Sequence, residues 1–95
     1  MELVTVFVHQ VDTEAHPTIP GGWRWAVHLG LDPHDLDRCV NAGWCPSDTD
    51  AELEGEMVGT AVAKALTLAT GRRADYRFTR LEIDPIPSGA DLVGA

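Results

Sequence analysis

The segment from Asp50 to Thr70 constrains the fold most, because it carries signals for both ends of a long helix. Thr49 and Glu52 stand three residues apart, the spacing of a capping box, in which both side chains bond the first free backbone N–H groups. Gly71 follows the segment, where a residue in the left-handed conformation commonly closes a helix. The sequence therefore predicts one helix of about 20 residues.

This helix has a broad apolar stripe, which predicts the face that packs on the rest of the domain. The stripe consists of Leu53, Met57, Val58, Ala61, Val62, Ala65 and Leu66. Beside it, Gly55, Gly59 and Ala63 recur every four residues and form a smooth ridge. Each glycine costs about 1 kcal/mol relative to alanine in a helix interior, so we expect a close contact to offset that cost. Two interpretations stay open: contact with the chain's own sheet, or with a second helix in a homodimer.

Four segments have strand patterns, three before the helix and one after it. They are residues 3–10, 23–30, 38–45 and 75–83. In residues 3–10 both sets of alternating side chains are largely apolar, which predicts packing on both faces of the strand. The second is predicted to be half-buried, with Trp23 and Trp25 on its core face.

The third and fourth segments carry local irregularities. The third is either one strand or a hairpin that turns at residues 41–43, and we expect a bulge near residues 79–80 of the fourth. Residues 12–22 and 31–37 are predicted as loops. The order β-β-β-α-β predicts an α+β domain over residues 1–84, with the helix on one face of a small, mainly antiparallel sheet. Residues 85–95 are predicted as a loose tail.

The charge of the chain limits its partners. It has 95 residues, 7 of them Lys or Arg and 15 Asp or Glu, for a formal net charge of −8. Such a surface repels nucleic-acid phosphates and anionic membranes. No stretch approaches the ~20 apolar residues of a membrane span, and the amino terminus lacks the basic start of a secretory signal. We expect a cytoplasmic protein that binds another protein.

Cys39, Cys45 and His34 are the candidate metal ligands. The C-x5-C spacing differs from the C-x2-C of zinc knuckles, and one extended strand would separate the sulfurs by roughly 20 Å. We therefore expect no metal and no cofactor, and interpret the cysteines as small buried apolar residues. A hairpin at residues 41–43 would instead allow them to form a disulfide.

Four histidines, at positions 9, 16, 28 and 34, are the candidate acid–base groups. His9 and His28 would be neighbours if the first two strands pair, and Glu2 or Asp12 could lie near them. That arrangement would suit a small enzyme or ligand-binding protein. The chain has no nucleophile elbow and no H-E-x-x-H, so we expect exposed or edge-of-sheet histidines and no catalytic residue.

Four arginines form a basic patch from the helix end into the last strand: Arg72, Arg73, Arg77 and Arg80. Together with the helix ridge it predicts a surface for a protein partner and for self-association. The predicted surface consists of Arg24, His28, Gly55, Gly59, Ala63, Arg77 and Arg80.

The element order and the helix start resemble the HicB-like antitoxin core. The stretch Thr49-Asp50-Ala51-Glu52-Leu53 is similar to the family's G-D-T-x-x-E-A helix start, although five residues separate Gly43 from Thr49. The resemblance covers residues 1–84 and implies a partial ribonuclease-H-like fold with an inhibitory, protein-binding role. Family members usually carry a C-terminal DNA-binding segment. Only 11 residues follow Asp84, so we do not expect DNA binding.

Overall fold

The computed structural model describes residues 2–12, 14 and 22–86 of the chain. The elements are β1 (Leu3–Gln10), β2 (Trp23–Leu29), a 3-10 turn (Leu36–Arg38), β3 (Cys39–Cys45), α1 (Asp48–Thr70) and β4 (Asp75–Arg80). This order and the packing of α1 on the sheet confirm the predicted α+β class. Most of the predicted loop 12–22, with His16, and the tail beyond residue 86 lie outside the described residues.

The four strands form one sheet in the order β3-β2-β1-β4. The pairs β1–β2 and β2–β3 are antiparallel, whereas β4 runs parallel to β1. The parallel pair follows from the connection, because α1 carries the chain over the sheet before β4 begins. β1 thus lies in the centre, where Val6 is opposite both Val27 and Phe78.

Two local predictions about the strands are wrong. β3 is a single strand along β2, so the hairpin at residues 41–43 does not form, and the one register shift lies between Val27 and His28. β4 pairs with β1 without a shift and ends at Arg80, so the expected bulge near residues 79–80 is absent and Leu81 lies beyond the strand.

The helix ends where the sequence predicts but begins earlier. Gly71 has a φ of 70° in the left-handed region, and its N–H bonds the Thr67 carbonyl at 3.0 Å. At the other end Ser47 is the N-cap, and its hydroxyl accepts a hydrogen bond from the Asp50 N–H at 3.2 Å. The Thr49–Glu52 capping box is therefore wrong, because Thr49 already lies inside the helix.

The face of α1 that packs on the sheet is the ridge of small residues. Ala51, Gly55, Gly59 and Ala63 are the buried residues of the helix. They allow its backbone to approach a sheet face filled by Val4, Val6, Val8, Trp25 and Val27, which are all buried.

The predicted stripe is only partly right. Val58, Val62 and Leu66 flank the core, but Leu53 and Met57 are 58% and 64% exposed, and Ala61 and Ala65 are exposed as well. The hydrophobic pattern pointed to the large side chains, whereas the sheet leaves room only for the small ones beneath the helix.

The opposite face of the sheet is covered too. It presents Thr5, Phe7, His9, Arg24, Ala26 and His28, all of which are buried. Part of this cover consists of the loop residues Gly30, His34 and Pro85, which bond the sheet or one another. The Thr5 hydroxyl donates to the Gly30 carbonyl at 2.6 Å, and His34 Nδ1 lies 3.2 Å from the Pro85 carbonyl.

The cover changes two predictions. β2 is buried on both faces and is not half-buried. Pro85 and Ile86 are buried as well, so the packed chain extends past the boundary predicted at residue 84.

Candidate functional site

A cluster of polar side chains lies buried on the sheet face opposite α1. Alternate residues of a strand point to one face, so Arg24 and His28 of β2 share this face with His9 of β1. Their exposed fractions are 2%, 1% and 0%. The expectation of exposed or edge-of-sheet histidines is wrong for His9 and His28, because the cover formed partly by residues 81–86 encloses the face.

The two buried histidines are not neighbours. His9 is opposite Arg24 and His28 is opposite Thr5, so they lie at opposite ends of the paired segment. The Phe7 ring stands between these positions and contacts the His28 ring edge-on, with 5.3 Å between centroids.

An acid beside His9 is Asp84. His9 Nδ1 lies 3.8 Å from Asp84 Oδ1. The same carboxylate accepts backbone N–H bonds from Ile86 at 2.9 Å and from Asp12 at 3.1 Å. Asp84 therefore links the covering segment to β1, a role that became visible only when the fold brought residues 9 and 84 together.

Burial controls the electrostatics of this cluster. The pKa of Arg24 is lowered from its usual value, mainly because burial penalises the charge, and Cys39 and Asp84 partly offset that effect. The pKa of His28 is also lowered, first by burial and then by the positive charge of Arg24. Both effects favour a neutral His28 ring, whose Nδ1 is buried without a hydrogen-bond partner. Acid–base chemistry at either ring would require the cover to open first.

The two cysteines lie at opposite ends of β3. Both are free thiols, Cys39 partly exposed and Cys45 buried. The Cys45 thiol donates to Glu54 Oε2 at 2.8 Å, whereas Cys39 Sγ lies 3.9 Å from Arg24 Nη2. Among the described residues, no three His, Cys, Asp or Glu side chains form a group that could hold a metal ion.

The outer face of α1 is an exposed surface with an apolar centre. We define this surface by Leu53, Met57, Ala61, Ala65 and Leu68, which are all exposed and lie on one side of the helix. Leu53, Met57 and Leu68 are 58%, 64% and 76% exposed. The helix beneath it is acidic in its first turns and followed by Arg72 and Arg73, so the surface has ends of opposite charge.

β4 forms one edge of the sheet and carries the exposed residues Arg77 and Phe78. Arg80 is already engaged within the chain. Its Nη2 lies 3.2 Å from Asp48 Oδ2, its Nη1 lies 3.3 Å from Glu52 Oε1, and its guanidinium stacks over Trp23 at 4.6 Å.

The predicted interaction surface is therefore wrong at five of its positions. Gly55, Gly59, Ala63, Arg24 and His28 are buried within the chain. Of the two interpretations of the ridge, contact with the chain's own sheet is the one the structure contains. Arg77 and Arg80 remain at the surface.

No family model, curated protein or solved structure matches this chain. No helix in the described part of the chain is both long and apolar enough to cross a membrane.

Proposed function

We propose that this chain is a non-enzymatic interaction domain, antitoxin-like or inhibitor-like in its role, that forms a homodimer and binds another protein. The observation that carries the proposal is the outer face of α1. Three large apolar side chains there are more than half exposed, on a helix whose other side already packs on the sheet. Large exposed apolar side chains grouped on one side of a helix are typical of a protein–protein contact.

The charge distribution favours an antiparallel pair of helices. A parallel pair would place the acidic first turns of both copies together. An antiparallel pair centred on Ala61 places Met57 against Ala65 of the second copy and Asp50 against its Arg72. Alanines in the centre allow the two backbones to approach closely, as in the packing of α1 on its own sheet.

The size of this surface sets the expected strength. A helix of 23 residues is about 34 Å long, so one helix pair buries less than the interface of an obligate dimer. We expect a dissociation constant on the order of micromolar. Sedimentation velocity at tens of micromolar, an order-of-magnitude choice for such an interface, should show a dimer. A monomer under these conditions would contradict self-association.

Leu53→Gln and Leu31→Gln provide a matched pair for this test. The two leucines are 58% and 57% exposed, but only Leu53 lies on the outer face of α1. Leu53→Gln should weaken the dimer about tenfold, the effect of losing roughly 1.4 kcal/mol of apolar contact, and Leu31→Gln should not. Equal effects would show that another surface associates.

The charge arrangement has its own test. Asp50→Arg and Arg72→Glu should each weaken the dimer, and the double variant should restore it. If the double variant does not restore the dimer, the two helices do not pair in the antiparallel orientation.

The edge of β4 is the surface that we assign to the second protein. The Asp75 N–H bonds the carbonyl of Glu2, the residue before β1, at 2.9 Å, and the Leu81 N–H bonds the carbonyl of Val8 in β1 at 2.8 Å. In a parallel ladder these donors alternate, so the N–H groups of residues 76, 78 and 80 point away from β1. An extended segment of a partner could add to this edge as a fifth strand.

Phe78→Pro and Phe78→Ala distinguish binding to the backbone edge of β4 from binding to the Phe78 ring. Proline removes the outward N–H of residue 78 and leaves the bonds to β1 intact, and edge strands tolerate it. Alanine removes only the ring. A partner captured from the source cell by the wild-type chain and by Phe78→Ala, but not by Phe78→Pro, would support strand addition. Equal capture by all three would refute it.

A further inference from the structure

Arg24 carries a buried positive charge that no carboxylate in the described part of the chain contacts. Its residue is 2% exposed, and no carboxylate oxygen of the described residues lies within 4.0 Å of its guanidinium. Its Nε is buried without a hydrogen-bond partner. Asp84 acts on it only at longer range. Because removing an ion from water costs several kcal/mol unless it is paired, this position favours a negative charge beside it.

The atom that Arg24 faces is the sulfur of Cys39. Arg24 Nη2 lies 3.9 Å from Cys39 Sγ, and the guanidinium packs on the Trp44 ring, 5.7 Å from its centroid. A neutral thiol is a weak acceptor, so it satisfies the guanidinium poorly. Trp44 Nε1 and His28 Nδ1 are also buried without partners on this side of the sheet.

Cys39 can be reached from solvent. It is the first residue of β3, it is partly exposed, and it lies opposite His28, where the pairing of β2 and β3 shifts register. Its own thiol points to the Asn41 carbonyl at 3.4 Å. The sulfur therefore combines access from outside with a cation on its inner side.

Cys45 provides the opposite environment in the same strand. It is 4% exposed, and its thiol donates to Glu54 Oε2 at 2.8 Å. Burial, followed by the contact with Glu54, raises the pKa of Cys45 to about 11. A thiolate is the reactive form of cysteine, and a neighbouring carboxylate disfavours it.

We propose that Cys39 is a site of oxidation by hydroperoxides, and that Arg24 is the positioning residue that holds the sulfur–oxygen product. Cys39 Sγ attacks one peroxide oxygen, an S–O bond forms and the O–O bond breaks. Sulfur loses two electrons, and the second oxygen leaves with the thiol proton as water or an alcohol. The product is a sulfenic acid, whose oxygen is a stronger acceptor for the Arg24 Nη2 N–H than the thiol sulfur it now faces.

The first test uses the wild-type chain alone. It is treated with hydrogen peroxide, the sulfenic acid is trapped with dimedone, and the modified fraction of each cysteine peptide is followed by mass spectrometry. Cys39 should react about tenfold faster in the folded chain than in the same chain unfolded in urea, because only the fold places a cation beside it. Cys45 should react more slowly when folded. Burial alone can only slow a thiol, so a slower Cys39 in the folded chain would overturn the proposal.

The second test distinguishes the effect of the Arg24 charge on the rate at Cys39 from the effect of the exposure of Cys39. Arg24→Lys keeps a positive charge, whereas Arg24→Met keeps only the apolar stem. Folded Arg24→Lys should retain most of the rate advantage of Cys39, and folded Arg24→Met should lose it. If Arg24→Met is folded by circular dichroism and Cys39 reacts at the wild-type rate, exposure alone explains the reaction. If the variants do not fold, the comparison of folded and unfolded wild-type chain decides. Neither test depends on the proposed dimer or partner.

Discussion

Substitution of Gly59 by alanine tests the packing of α1 on the sheet, because helix propensity and packing predict opposite signs. In an exposed helix interior, glycine to alanine stabilises by about 1 kcal/mol. At Gly59 an added Cβ would collide with Val6 Cγ2 and lie 2.9 Å from Tyr76 Cε2.

The collision cannot be relieved cheaply. Val6 is 0% exposed, and a β-branched side chain has little freedom to rotate. Overpacking of this kind costs about 1–3 kcal/mol, and we take the upper end because a rigid buried valine opposes the new methyl group. Subtracting the gain in propensity leaves a net loss of about 2 kcal/mol in the free energy of unfolding. For a chain of this size the melting temperature should fall by roughly 10 °C.

Urea unfolding followed by far-ultraviolet circular dichroism measures this change. The matched control compares Glu56→Gly with Glu56→Ala, since Glu56 is exposed on the same helix outside the surface defined for the dimer, and the two variants should differ by about 1 kcal/mol through propensity alone. In a Val6→Ala background, Gly59→Ala should cost much less than in the wild-type chain, because the colliding Val6 methyl group is gone and only the contact with the Tyr76 ring remains. If Gly59→Ala stabilises the wild-type chain by about 1 kcal/mol, the ridge does not pack on the sheet and the reasoning is refuted.

Three further predictions use the same unfolding measurement. Ser47→Ala should lower the free energy of unfolding by about 1 kcal/mol and Thr49→Ala by much less, since Ser47 caps the helix. The reverse order would show that Thr49 is the cap, as the sequence predicted. Ile86→Ala should cost about 2 kcal/mol because Ile86 is buried, whereas an unchanged stability would mean that residue 86 belongs to a loose tail. The folded chain holds the Cys45 proton more tightly than the unfolded chain, with a pKa of about 11 against 9.0. The wild-type chain should therefore lose stability relative to Cys45→Ala as the pH rises from 9 to 11, and a constant difference would contradict the burial of the thiol beside Glu54.

The local features of the fold could be predicted from the sequence because each depends on neighbours along the chain. Gly71 ends the helix since glycine adopts the left-handed conformation at little cost, and the apolar alternation of residues 3–10 identified a strand packed on both faces. The spacing of Gly55 and Gly59 indicated a close contact, although it did not indicate with what. The predicted helix cap was wrong, because Ser47 and Thr49 both have a hydroxyl near an acidic residue. Which of the two caps the helix depends on the path of the chain from β3.

The sequence by itself determined the α+β class, the long helix and the alternation of strand residues between two faces, because periods of two and 3.6 residues are properties of the local backbone. Tertiary structure decided which side of α1 is buried, since the space above a sheet lined by Val6 and Trp25 admits glycine and alanine and excludes leucine and methionine. It also decided that Asp84 meets His9 and that Arg24 meets Cys39. These groups are 75 and 15 residues apart in the chain, and only the sheet order and the cover over its second face bring them into contact.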